Sequence, residues 1–264
     1  MKFLSSPVFK ILITMFFVSI CSYFVIFKQS AQADSNQLIV GTVSGYAPYV
    51  SLNAQGEYEG FDIDVATELA KRLNKKLVLK DCGSMVPLML SLKNESVDLL
   101  IWALEINNAR RNEMAMIQYQ GGNVTSYPLI FWNQIPQGIS SIEDLKSVPN
   151  ATVCIEPGSS QERFLNKFDF IIKKPMEKVV DMILDLKYSK SLAALVDPSL
   201  IKTLLQKNPE LKVLNIPLDE DSKSYGNGIC IKKENKKLIE QVQEAIDAMK
   251  ADGTMKKLEN KWNL

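Results

Sequence analysis

The chain has 264 residues, with 31 Lys and Arg against 30 Asp and Glu, four cysteines and no histidine. The lack of histidine excludes serine–histidine and cysteine–histidine catalysis and the common histidine metal sites. The basic residues are scattered among acids, so no basic patch marks a nucleic-acid partner.

In chain order, the first segment reads as a targeting signal. Lys2 and Lys10 give a positive start, residues 11–27 are apolar, and Ala31-Gln-Ala33 supplies small residues at the expected cut. Cleavage after Ala33 makes residues 1–33 the signal peptide. Lys28 keeps a retained membrane anchor open, although the run is slightly short for a full span. Bulky Ile20 before Cys21 disfavours lipidation there. Once Lys2, Lys10 and Lys28 are gone, 28 basic residues face 30 acidic ones, a net charge of −2. The remainder suits one large or two modest domains. Cys82, Cys154 and Cys230 are an odd set, so at least one thiol is free.

Strand-like and helix-like patterns then alternate. Residues 38–43 form a short β-like run, and Val65, Leu69 and Leu73 fall at helical spacing. Residues 76–79 return to a strand, 87–93 to a helix and 97–104 to a strand. A second series runs through strands at 127–132, 151–155 and 168–172, with a helix from about Ser159. Val179, Ile183 and Leu186 mark a helix over 175–186, with Pro175 near its start, where a missing N–H costs nothing. Residues 192–196 are a nearly continuous apolar strand, followed by a helix over 199–206. The last long helix, 235–251, carries Ile239, Val242, Ala245, Ile246 and Met249 on one stripe. Asp252-Gly253 stops it, and a further turn covers 255–262.

Alternation of this kind implies mostly parallel sheets flanked by helices. The units are too many for one sheet and no long linker separates tandem domains, so two lobes joined by short crossing strands fit best. Three strands end in chemistry: 98–110 ends in Arg110, 153–160 in Ser159 and Ser160, and 192–197 in Asp197. Ligands bind at the carboxyl ends of strands in such sheets. A cation, a helix start rich in N–H groups and an anion around one crevice complement a zwitterion, which points to an amino-acid receptor.

The residues from about 38 to 264 resemble the periplasmic amino-acid-binding proteins of ABC importers, solute-binding protein family 3. Six motifs carry the resemblance in order: Tyr46-Ala-Pro-Tyr49, Gly60-Phe-Asp-Ile-Asp-Val65, the segment 98–110, Gly158-Ser-Ser-Gln-Glu162, Tyr225-Gly226, and Ala251-Asp-Gly-Thr254 with Lys261-Trp262. The resemblance implies a type II periplasmic-binding-protein fold, two α/β lobes with the ligand cleft between them. Lobe 1 would take 38–125 plus 228–264, and lobe 2 126–227. It implies a monomer outside the inner membrane that hands a free amino acid to ABC permease subunits, with no cofactor and no metal.

Among the site residues the resemblance implies, Arg110 would grip the α-carboxylate through two parallel N–H···O bonds. Ser159 and Ser160 would offer hydroxyls, or else only cap their helix. Asp197 would pair the ammonium, or else only cap the helix after it. Tyr46 would lay its ring on the ligand, or else pack its own turn. Phe61 is expected in the core, with Asp62 and Asp64 capping the helix that follows. Departures from the family pattern bear on selectivity. Val43 stands where members that take polar or basic side chains often carry an acid. Ala103-Leu-Glu105-Ile-Asn107 puts Glu105 where a Ser or Thr would help hold the carboxylate. Trp102 replaces a small residue and Met85 an aromatic. If Glu105 points into the cleft, it should favour a ligand with an extra positive group or read the ammonium; if it turns back onto Arg110 or into solvent, a mostly apolar pocket is expected between Trp102, Met85 and Val43. A neutral or basic amino acid is favoured, and an acidic one disfavoured because Glu105 would repel it. Two alternatives stay open: a dehydratase-like enzyme on the same fold using Glu105 or Glu156 as general acid, and a sensing domain for a membrane partner.

Overall fold

The computed structural model describes residues 36–264. The expected signal peptide, its anchor and lipidation alternatives and Cys21 lie outside these residues. In chain order the elements are β1 (Gln37–Thr42), β2 (Ser51–Leu52), β3 (Tyr58–Glu59), α1 (Phe61–Arg72), β4 (Lys76–Asp81), α2 (Met85–Lys93), β5 (Leu99–Leu100) and α3 (Asn108–Glu113). Then come β6 (Ala115–Val124), β7 (Ser126–Trp132), β8 (Thr152–Ile155), α4 (Ser160–Leu165), β9 (Ile172–Pro175), α5 (Val179–Lys187), β10 (Ala193–Leu195) and α6 (Ile201–Lys207). The chain closes with β11 (Leu211–Pro217), β12 (Ser224–Ile231), α7 (Lys236–Ala251) and α8 (Thr254–Trp262).

Two five-stranded sheets result, ordered β4-β1-β5-β12-β6 and β11-β7-β10-β8-β9. Pairing is parallel between β1 and β5, β10 and β8, and β8 and β9. It turns antiparallel where β6, β7, β11 and β12 join. The chain passes between the sheets twice, from β6 into β7 and from β11 into β12, which gives a two-lobe α/β fold.

Side-chain alternation explains the second sheet. Leu129, Phe131, Val153, Ile155, Ala193 and Leu195 pack on one face, while Ile130, Cys154 and Ala194 pack on the other. Burial on both faces makes these strands read as unbroken apolar runs. In the first lobe α7 turns Leu238, Val242, Ala245, Ile246 and Met249 inward. Asn235 caps it by accepting from Leu238 N, and Gly253 after it takes the left-handed conformation at φ 79°.

Three expectations need correction. Residues 168–170 are not a strand: Phe164, Phe168 and Phe170 stack edge-on at 5.2 and 5.8 Å and hold the chain in a turn. The strand is Ile172–Pro175, so Pro175 ends a strand and the helix starts only at Val179. Asp62 and Asp64 do not cap α1. Asp64 instead accepts from Trp262 Nε1 at 2.6 Å and from Lys261 Nζ at 2.7 Å, which pins α8 across α1. Asp62 is fully buried and accepts from partners outside α1. Phe61 is in the core as expected. Cys82, Cys154 and Cys230 are all free thiols. Burial pushes the Cys154 thiol up to about 11 and that of Cys230 up to about 12, so neither is a ready nucleophile.

Candidate functional site

The carboxyl ends of β5, β8 and β10 converge on one cavity between the lobes, with about 270 Å³ of space between its atoms, part of it open to solvent. After β5 the chain is held rigidly. Asp62 accepts from Ala103 N at 2.7 Å and from Tyr119 OH at 2.6 Å. That clamp keeps Ala103, a residue with a Cβ, at φ 42°. Burial pushes the Asp62 carboxyl up to about 7, against the pull of these two donors. Gly60 makes the clamp possible, because a Cβ there would sit 2.0 Å from Tyr49 O.

Asn107 caps α3 by accepting from Arg110 N at 2.9 Å. This aims Arg110 into the cavity with only 4% exposure. Its Nη1 donates to the main-chain oxygen of Glu105 at 3.0 Å, and its Nη2 lies 3.8 Å from Met85 Sδ. Its Nε is buried without an acceptor, and Arg110 forms no ion pair among the described residues. A buried guanidinium left so is costly unless an anion completes it.

The Glu105 carboxylate does not turn back onto Arg110 and does not reach solvent. One oxygen accepts from Tyr127 OH at 3.1 Å and the other is buried without a donor. Burial and then Asp197 raise its pKa, while Ser160, Arg110 and Tyr127 pull it down. Asp197 faces the same space. It accepts from Ser199 N at 2.8 Å and from Ser199 Oγ, so it does cap the short 3₁₀ turn after β10. Burial raises its pKa, opposed by the Ser199 bonds and by Arg110.

The Ser159 hydroxyl accepts from Glu162 N at 3.0 Å, while the Glu162 carboxylate accepts from Gly158 N at 2.7 Å. Capping therefore accounts for that side chain. Ser160 Oγ receives Asn107 Nδ2 at 3.0 Å and Arg163 Nη2 at 2.9 Å. The first of these crosses the cleft and ties the lobes together. Tyr46 packs its ring 5.0 Å from that of Trp102, and both line the cavity. Trp102 Nε1 is buried without an acceptor.

All nine sequence-derived residues, Tyr46, Met85, Trp102, Ala103, Glu105, Arg110, Ser159, Ser160 and Asp197, thus line one cavity. Val43 does not: it is buried in the first core. Leu104, Glu156 and Gln161 also line the cavity and were not among the nine. Burial, then Asp197 and Glu177, push the Glu156 carboxyl up to about 8 against the pull of Arg110. A single acid after a strand looks solvated in sequence, which offers Glu156 only as a general acid of the enzyme alternative.

A guanidinium and three carboxyl groups lining one cavity between two α/β lobes define a two-lobe binding protein for a small charged solute. The family model "Bacterial extracellular solute-binding proteins, family 3" matches residues 38–264, and the chain belongs to that family. It is similar to the probable ABC transporter arginine-binding protein ArtJ of Chlamydia trachomatis serovar D, at 27% identity over 251 residues, 94% of this chain and 95% of that protein. It is also similar to the histidine-binding periplasmic protein of Salmonella typhimurium, at 30% identity over 84% of this chain and 86% of that one. A crystal structure of a mutant of ArgBP from T. maritima matches with a TM-score of 0.76 at 25% identity, covering 86% of this chain and 95% of that one. No helix among the described residues is long and apolar enough to cross a membrane.

Proposed function

We propose that this chain captures a basic α-amino acid outside the inner membrane and delivers it to an ABC-type permease. The observation that carries this reading is the charge imbalance of the cavity: Arg110 faces Glu105, Glu156 and Asp197. A zwitterion with a cationic side chain gives its carboxylate to Arg110 and two cations to the acids. A neutral amino acid leaves acids buried and unpaired, and glutamate adds one more anion with no cation to meet it. The names of the arginine- and histidine-binding relatives support the same class.

Capture needs no bond to form or break. The lobes, 38–125 with 228–264 and 126–227, close about their crossing strands and exclude water. Low dielectric then strengthens each charge-assisted bond. Residues 1–33 direct export and are removed, and the receptor works as a monomer. The raised pKa values of Glu105 and Glu156 also suit a general acid. Incubation with prephenate- or arogenate-like acids should nevertheless leave them unchanged.

A thermal-shift screen of the twenty amino acids tests the ligand class. A ligand at 100 times its Kd stabilises by about 2.7 kcal/mol, so arginine, lysine or histidine should give the largest shift. The largest shift with aspartate or glutamate would overturn the reading.

A further inference from the structure

The three acids of the cavity are not equivalent. Asp197 is held by two donors from Ser199. Glu105 is held by Tyr127 OH. Among the described residues the Glu156 carboxylate has no hydrogen-bond donor and no ion-pair partner. It feels repulsion from Asp197 and Glu177 and attraction from Arg110 alone.

Its backbone is nevertheless fixed. Val153, Cys154 and Ile155 of β8 are all at most 1% exposed, and β8 pairs on both sides. The side chain is therefore presented to the cavity from a rigid strand end, with no hydrogen bond or ion pair from the protein to hold it. Arg110 Nε and the free oxygen of Glu105 are buried orphans in the same cavity. The Arg110 orphan calls for an anion that is not part of the chain. The first strand supplies no acid here, because Val43 is apolar and packed in the core.

From this arrangement we propose that Glu156 receives the side-chain cation of the ligand and is the residue that separates basic from neutral amino acids. The inference rests on the reading of the cavity as a basic amino-acid site. Arg110 then takes the α-carboxylate, Asp197 the α-ammonium and Glu156 the far charge. The tilted ring pair of Tyr46 and Trp102 supplies aromatic faces along the aliphatic and guanidinium parts of the ligand. Glu105 stays tied to Tyr127 and shapes the cavity.

Titration calorimetry with L-arginine and L-citrulline, its uncharged near-isostere, decides the matter on the wild type and on E156Q. The wild type should favour arginine at least tenfold. E156Q should lower arginine affinity tenfold or more and change citrulline affinity less than threefold, so that the preference collapses. A thermal melt checks that E156Q is folded, and E156S serves as a second variant with the same expected loss of preference. Wild-type binding of arginine with the preference intact in both variants would overturn the role of Glu156 alone. Failure of the wild type to bind arginine, lysine or histidine, with binding of another amino acid, would overturn the underlying reading and this assignment with it.

Discussion

At the scale of single residues, Asp197 has two jobs that a substitution can separate. One oxygen is spent on the 3₁₀ turn that follows it, and the carboxyl as a whole lines the cavity opposite Arg110. Asn keeps the cap and removes the charge. D197N should weaken amino-acid binding by about 1.5–3 kcal/mol, the loss of a charge-assisted bond. It should weaken analogues without the amine much less. Calorimetry with an amino acid and its des-amino analogue gives both numbers, and equal losses would show that Asp197 serves only its turn.

At the scale of elements, the clamp between α1 and the segment after β5 sets the cavity wall. Asp62 satisfies the buried Ala103 N–H and Tyr119 O–H together. D62A orphans both, which should cost about 2–4 kcal/mol at about 1–2 kcal/mol for each buried group, read by denaturant unfolding. A loss below 0.5 kcal/mol, on the order of an ordinary surface change, would contradict the clamp. The sequence shows Asp62 only as a motif residue beside a helix start, because its partners lie 41 and 57 residues away. By contrast the ends of β8 and β10 are legible, because burial on both faces leaves unbroken apolar runs that stop at Glu156 and Asp197. β6 and β12 are not legible: Gln118, Gln120 and Asn227 interrupt any apolar alternation, and their pairing joins segments about a hundred residues apart. The order of motifs carries the site further than the local pattern carries the fold.

For the whole molecule, capture and stability pull in opposite directions with pH. The folded-state pKa of Asp62 is raised to about 7 and that of Glu156 to about 8, and those of Glu105 and Asp197 are also raised, all chiefly by burial. Unfolded carboxyls titrate near 4. A raised folded pKa means that the folded state holds the proton more tightly, so the stability these groups give is full below pH about 4 and is lost as pH rises through about 7–8. The unliganded protein should therefore melt several degrees lower at pH 8 than at pH 5.5, at about 2–4 °C per kcal/mol for a chain of this size. Affinity for a basic ligand should rise over the same interval, because the acids must ionise to meet it. Saturating arginine should shrink the difference in melting temperature, and a higher unliganded melting temperature at pH 8 would contradict the pKa assignments.

The crossing strands carry the geometry that brings the lobes together. Gly226 at φ 76° lies against Gly121, and a Cβ there would meet Gln120 O at 2.7 Å. Asn227 Nδ2 and Tyr49 OH share Gln120 Oε1 at 2.9 and 3.5 Å beside them. Arg110 and the three acids line the one cavity between the lobes. The most direct test is competition calorimetry near pH 8 with arginine, glutamine and glutamate on one preparation of the protein. Arginine should bind tightest, glutamine at least tenfold more weakly, and glutamate weakest of the three. Glutamate binding more tightly than arginine and glutamine would contradict the account.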